Sequence, residues 1–187
     1  VVYVLGQSPG EGSNLDITLL KYNSETGRPM WNLPGQPGTT SGKPGTPADV
    51  AFRINGPLSR IDRGMAMALN TDGEMYVIGV TAGTPHGAFP ADMDSLTARL
   101  LVNTYRPAIL AEHRYDGGLG LDIPCTLATW QDPETGRRSV LRDPVLGDLV
   151  VVSGHSALVR PPGTPANQYI TFMYDSNLVL RWTKAYD

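Results

Sequence analysis

The sequence predicts an all-β chain built from repeated units of four antiparallel strands, and three observations carry that expectation. Short segments dense in Val, Ile, Leu and Tyr, each closed by a glycine, recur at 1–6 (VVYVLG), 75–79 (MYVIG) and 149–154 (LVVVSG). Their closing residues, Gly6, Gly79 and Gly154, stand 73 and 75 residues apart, and a fixed period of that kind marks a stacked or radial architecture. No segment of helical length carries a 3.6-residue apolar stripe. Residues 91–105 come nearest, but Pro107 and the repeat register place them in strand.

In chain order, the glycine-closed strand at 1–6 is followed by a loop at 7–15 and a second strand at 16–22 (DITLLKY). The polar turn Asn23-Ser24-Glu25-Thr26-Gly27 then leads into a third strand, Arg28-Pro29-Met30-Trp31. Residues 32–62 are expected to be a long loop. In 63–70 (RGMAMALN), Met65-Ala66-Met67-Ala68-Leu69 alternates large and small side chains with period two, as in a strand pressed between two layers. Asp72-Gly73 is a strong hairpin signal, because it supplies the positive φ that a tight turn needs. Strands at 75–79, 96–102 and 106–110 follow, the last ending at Leu110 where the first unit ends at Trp31. A second long loop is expected at 117–137. Strands at 138–143, 149–154, 169–174 and 178–182 complete the pattern, with Trp182 as the third anchor and 155–168 as a loop.

Four short antiparallel strands per unit, each unit covered by the next, describe a β-propeller blade. The chain then holds about three blades, at 1–31, 63–116 and 138–187, with the inner strand of the first blade missing. Closed propellers have ~4–8 blades, so the rest of the ring is expected from outside these residues. The ends at Val1 and Asp187 both read as strand, an expectation of a fragment more than of a processed product or a subunit completed by neighbours. The long insertions all fall on one side of the units, and loops on a rigid scaffold are where binding usually resides. Those at 34–38, 43–47 and 161–165 combine Pro and Gly, which favours ordered turns.

The order DITLLKYNSETGRPMW followed by RGMAMALNTDGEMYVIGVT resembles the SBBP-type bacterial β-propeller repeat, over about two thirds of the chain. That family pairs an AKYNxxGxxxW half with a second half ending in VDxxGNVYVTGxT. The resemblance implies that Trp31 and Trp182 dock against adjacent blades and that the protein works outside the cytoplasm (periplasmic, cell-surface or secreted). The segment NSETGRPMW is also similar to the TGxxxW signature of quinoprotein-like propellers.

Among the 187 residues, 15 basic and 18 acidic side chains give a net charge of −3 with no run of like charge, so nucleic acid is not an expected partner. No apolar run approaches the ~20 residues that span a bilayer. The single Cys125 excludes an internal disulfide framework and a four-cysteine zinc site. His86, His113 and His155 lack metal-ligand spacing. The carboxylates of Asp132-Pro133-Glu134, and Asp116 with Asp122, lack an EF-hand pattern. They read as turn residues, with a loop Ca²⁺ as the minor alternative, so no catalytic, metal or cofactor residue is assigned. Trp130 lies outside the repeat pattern and is the best candidate interface anchor, with His86, His155 and Arg160 on the elaborated side.

The expected function is a non-catalytic propeller module that binds protein or scaffolds a larger secreted or cell-surface protein or assembly. Two alternatives stand beside it. One is a quinoprotein-like oxidoreductase, disfavoured because Met65, Ala66 and Met67 offer no charge for a charged cofactor; the other is a structural subunit of a large complex.

Overall fold

The computed structural model describes residues 1–9, 15–31, 51–55, 61–82, 93–104, 107–116, 122–160 and 164–186, with the backbone alone at 157–160 and 164–167. The expectations for His86 and for the Pro/Gly segments at 34–38 and 43–47 lie outside the described residues, as does 161–163. No helix occurs among the described residues; thirteen strands form three antiparallel sheets.

The first sheet has the order β1 (Val2–Pro9), β2 (Leu15–Tyr22), β3 (Ala51–Ile54). The second runs β4 (Arg63–Leu69), β5 (Glu74–Ala82), β6 (Met93–Leu101), β7 (Ala108–Tyr115). In the third, β13 (Leu180–Tyr186), β12 (Thr164–Tyr174), β11 (Gly147–Arg160), β10 (Arg138–Asp143) and β9 (Thr129–Gln131) follow one another, and β8 (Asp122–Leu127) also pairs with β11.

The middle sheet is apolar on both faces, so it is covered on both. Every residue from Met75 to Ala82 is buried. Met75 and Val77 join Ile17, Leu19, Trp31, Phe52 and Leu100 in one core against the first sheet. Tyr76 and Ile78, pointing the other way, join Val150, Val152, Phe172 and Tyr174 in a second core against the third. The alternation in β4 obeys the same division, with Met67 and Leu69 packed on the first core and Ala66 and Ala68 at the second. Burying one such large apolar side chain contributes ~1.5–3 kcal/mol.

Two glycines are required by close approach. A Cβ on Gly79 would lie 2.4 Å from the Arg63 carbonyl oxygen, and one on Gly154 would lie 2.1 Å from that of Ile123. In both places the neighbouring strand shifts register as it passes the glycine.

Several expectations are corrected. Residues 28–31 do not form a strand: Pro29 has no N–H to give, and contact with β2 reduces to the Tyr22–Pro29 bridge and the Met30 N–H on the Lys21 carbonyl. The place beside Ile17–Leu20 is taken by β3, from within the expected loop 32–62. The expected loop 117–137 contains β8 and β9. Both β8 and β10 pair with β11, and β9, which lies between them in the chain, pairs with β10. The expected loop 155–168 is largely the extension of the β11–β12 hairpin, paired out to Arg160 and Thr164. Leu110 is exposed, and Ala111 packs on the core in its stead. The first sheet has three strands, with β1 at its edge.

Tight turns are closed by a side-chain oxygen that accepts backbone N–H groups, the role of Asn23, Asn70, Asp132, Asp143 and Asp175. Gly73 has φ +81°, as the Asp72-Gly73 hairpin signal anticipates, and Leu178 takes the same left-handed place (φ 58°) in the turn at Asp175.

Candidate functional site

Uninterrupted pairing of β1 with β2, β5 with β6 and β11 with β12 puts the three central hairpins in one register. Gly6 faces Thr18, Gly79 faces Leu96 and Gly154 faces Ile170. Tyr3, Tyr76 and Val151 are therefore equivalent, and so are Lys21, Arg99 and Met173.

This register exposes a repeated polar clasp between sheets. The Tyr3 hydroxyl (3.4 Å) and the Lys21 ammonium (2.9 Å) both donate to the Val102 carbonyl of the second sheet. Seventy-odd residues later, the Tyr76 hydroxyl (3.3 Å) and the Arg99 guanidinium (2.7 Å) converge on the Ser176 carbonyl of the third. Val102 and Ser176 are themselves equivalent in the register. Each cation is further braced: Lys21 Nζ lies 5.6 Å from the Tyr3 ring centre and 5.7 Å from that of Trp31, and Arg99 pairs with Glu74 at 2.7 Å. Trp31 Nε1 donates to the Thr104 carbonyl across the same junction.

Burial raises the Tyr3 pKa and lowers that of Lys21. Tyr76 is raised further, by burial first and then by the Asp148 carboxylate, which accepts its proton in a hydrogen bond. Asp148 is buried and also accepts from Asn70 Nδ2 at 2.8 Å. Replacing Tyr76 with Phe strips Asp148 and Ser176 of a buried donor; the expected loss, ~1–3 kcal/mol, is measured by urea unfolding.

The same second junction holds His113, whose ring lies 4.9 Å from Tyr174 and whose Nδ1 is buried without a partner. Burial lowers its pKa from the ordinary value. A histidine whose folded pKa is depressed contributes stability above its unfolded pKa of ~6.5 and loses it as pH falls toward the folded value. The melting temperature is therefore expected to fall below pH ~6.5, and less so in His113→Phe.

Outside these junctions no sheet among the described residues covers the equivalent faces, which are part-buried to exposed. On the first sheet, Val2 (47% exposed), Val4 (42%), Leu20 and Tyr22 hold the positions that Met75, Val77, Ala98 and Leu100 hold in the first core. On the third sheet, Val151 and Met173 occupy the clasp positions, and Trp182, 38% exposed, lies opposite Met173.

Trp130 lies on β9, half exposed, and borders a groove of about 620 Å³ with Val1, Tyr3, Thr71 and Arg138. His155 belongs to β11, its ring 4.4 Å from that of Tyr169. Arg160 ends the same strand, where the backbone alone is described. Trp130 thus sits on the edge strand β9 and His155 on the interior strand β11, and they border different grooves. Trp31 is buried between the first two sheets, whereas Trp182 faces outward. The Asp132 oxygen is occupied by the Glu134 and Thr135 N–H groups, repeating the turn made by Asn23, Glu25 and Thr26. No group of three or more His, Cys, Asp or Glu gathers to hold a metal among the described residues.

The Tyr/cation clasp escaped the sequence reading, although Tyr3 and Tyr76 each stand three residues before a repeat glycine. Likewise NSETGR at 23–28 and DPETGR at 132–137 announce one turn twice.

No protein-family model matches the chain, and no curated protein matches it. Among the described residues no helix is long and apolar enough to cross a membrane.

Proposed function

We propose that the chain is a three-bladed part of a β-propeller, serving as a non-catalytic protein-binding or scaffold module of a larger secreted or cell-surface protein or assembly. One observation carries this reading: the first two sheets each present the same register-matched face to the next, and no sheet among the described residues covers the equivalent face of the third. The Val2/Val4 face of the first sheet is its counterpart. Repeated junctions that bury one face on the next are the physical basis of a propeller, and exposed halves of such a junction bind what completes them. Location outside the cytoplasm rests on the resemblance to SBBP repeats alone.

The test is a photo-cross-linking side chain at position 182, introduced into the protein in its native cells, with adducts mapped by mass spectrometry. The expected adduct lies in a β-rich segment outside residues 1–187, in the same polypeptide or another. Absence of any adduct, together with a monodisperse monomer of the purified chain at high concentration, overturns the reading.

A further inference from the structure

We propose that the inner edge of β1 is a binding site for an extended peptide strand that pairs antiparallel with residues 2–6. Three features of the chain meet there. First, β1 pairs with β2 alone among the described residues, whereas β5 is edged by β4 and β11 by β8 and β10. A row of backbone amides and carbonyls without a neighbouring strand is a template for strand addition.

Second, Gly6 meets no neighbour among the described residues that requires glycine. At its equivalents, Gly79 and Gly154, the carbonyl oxygens of Arg63 and Ile123 pass so close that no Cβ fits. A Cβ on Gly6 would meet nothing within 4 Å, and its φ is not positive. The vacant space over Gly6 is the space that an edge strand's carbonyl fills over the other two.

Third, the site has shape and apolar lining. A groove beside β1 is bordered by Val1, Tyr3, Met67, Leu69, Leu127 and Arg138. Leu5 already abuts Gly64 of β4, since a Cβ there would lie 2.7 Å from Leu5 Cγ, and the equivalent edge strand β4 turns only the small Ala66 and Ala68 toward the sheet that follows it. The opposite face, beside Val2 and Val4, is open to large ones. The ligand is accordingly an extended segment of alternating large and small apolar residues, of the kind β4 itself shows in Met65-Ala66-Met67-Ala68-Leu69.

The probe is a synthetic, fluorescently labelled peptide of residues 63–70 (RGMAMALN), titrated against the whole chain by fluorescence anisotropy. Saturable binding is expected, with a scrambled peptide of the same composition at least tenfold weaker. Gly6→Leu is expected to weaken binding at least tenfold without lowering the melting temperature, because its side chain enters empty space in the free protein. No saturable binding, equal binding of the scrambled peptide, or equal binding by the Gly6→Leu variant overturns the proposal. None of these results depends on what cross-links to position 182, so this site and the module reading fail separately.

Discussion

Gly154→Ala is expected to lower the melting temperature by roughly 6–12 °C. Its Cβ would stand 2.1 Å from the Ile123 oxygen and 2.7 Å from Pro124 Cα, both backbone atoms that no side-chain rotation can move away. To make room, β8 must be displaced from β11, at a cost of about 3 kcal/mol, the upper part of the range for overpacking. A chain of this size loses roughly 2–4 °C per kcal/mol. Gly79→Ala falls in the same class, with the Arg63 oxygen at 2.4 Å and Ile17 Cδ1 at 2.8 Å. Gly6→Ala does not: it meets nothing, and by restricting the unfolded chain it is expected to stabilise by ~0.4–1 kcal/mol. Thermal unfolding of the three variants side by side checks the order. A drop for Gly6→Ala as large as the other two would remove the distinction between occupied and vacant edges.

Those three glycines also show what a sequence can disclose. Their spacing announced the repeat, and the apolar strands ending at each were legible because alternation and turn residues agree locally. What was hidden is the reason for glycine. Contact with a neighbouring backbone is non-local, and nothing near Gly154 in the chain points to Ile123. The strand containing that residue reads poorly for a second reason, since Pro124 interrupts it and proline argues against strand. Pro124 is tolerated because it sits at the register shift against Gly154. The four residues of β3 are too few to show an alternation, and the Pro/Gly-rich stretch before them points to loop.

The clasp residues illustrate a different gap. Composition treats Lys21 and Arg99 as surface charge, yet Lys21 is buried and its ammonium ends on a carbonyl of the next sheet. A long aliphatic stem allows it to cross an apolar junction and place its charge on a polar terminus. That role becomes visible only when the register shows Tyr3 and Lys21 recurring as Tyr76 and Arg99. In the third sheet the equivalent positions hold Val151 and Met173, so the polar pair of the first two sheets is replaced there by apolar side chains.

Tryptophan separates the buried junction from the outer face of the third sheet most sharply. Trp31→Ala is expected to cost ~3–5 kcal/mol, because truncating a fully buried aromatic leaves a cavity that its surroundings fill only in part. Trp31 is 2% exposed, is 6.1 Å from the Tyr3 ring, lies under the Lys21 ammonium and donates to Thr104. Its removal therefore also loosens the clasp on Val102. Trp182, at 38% exposure, has no sheet over it among the described residues, so Trp182→Ala is expected to change stability by about 1 kcal/mol or less. Urea unfolding of the isolated chain measures both. If Trp182 packs as Trp31 does once a further sheet covers it, the two costs converge in the completed assembly while remaining several kcal/mol apart in the chain alone. Equal losses in the isolated chain would mean that the third sheet's outer face is already satisfied, and the case for an occupant there would fall with it.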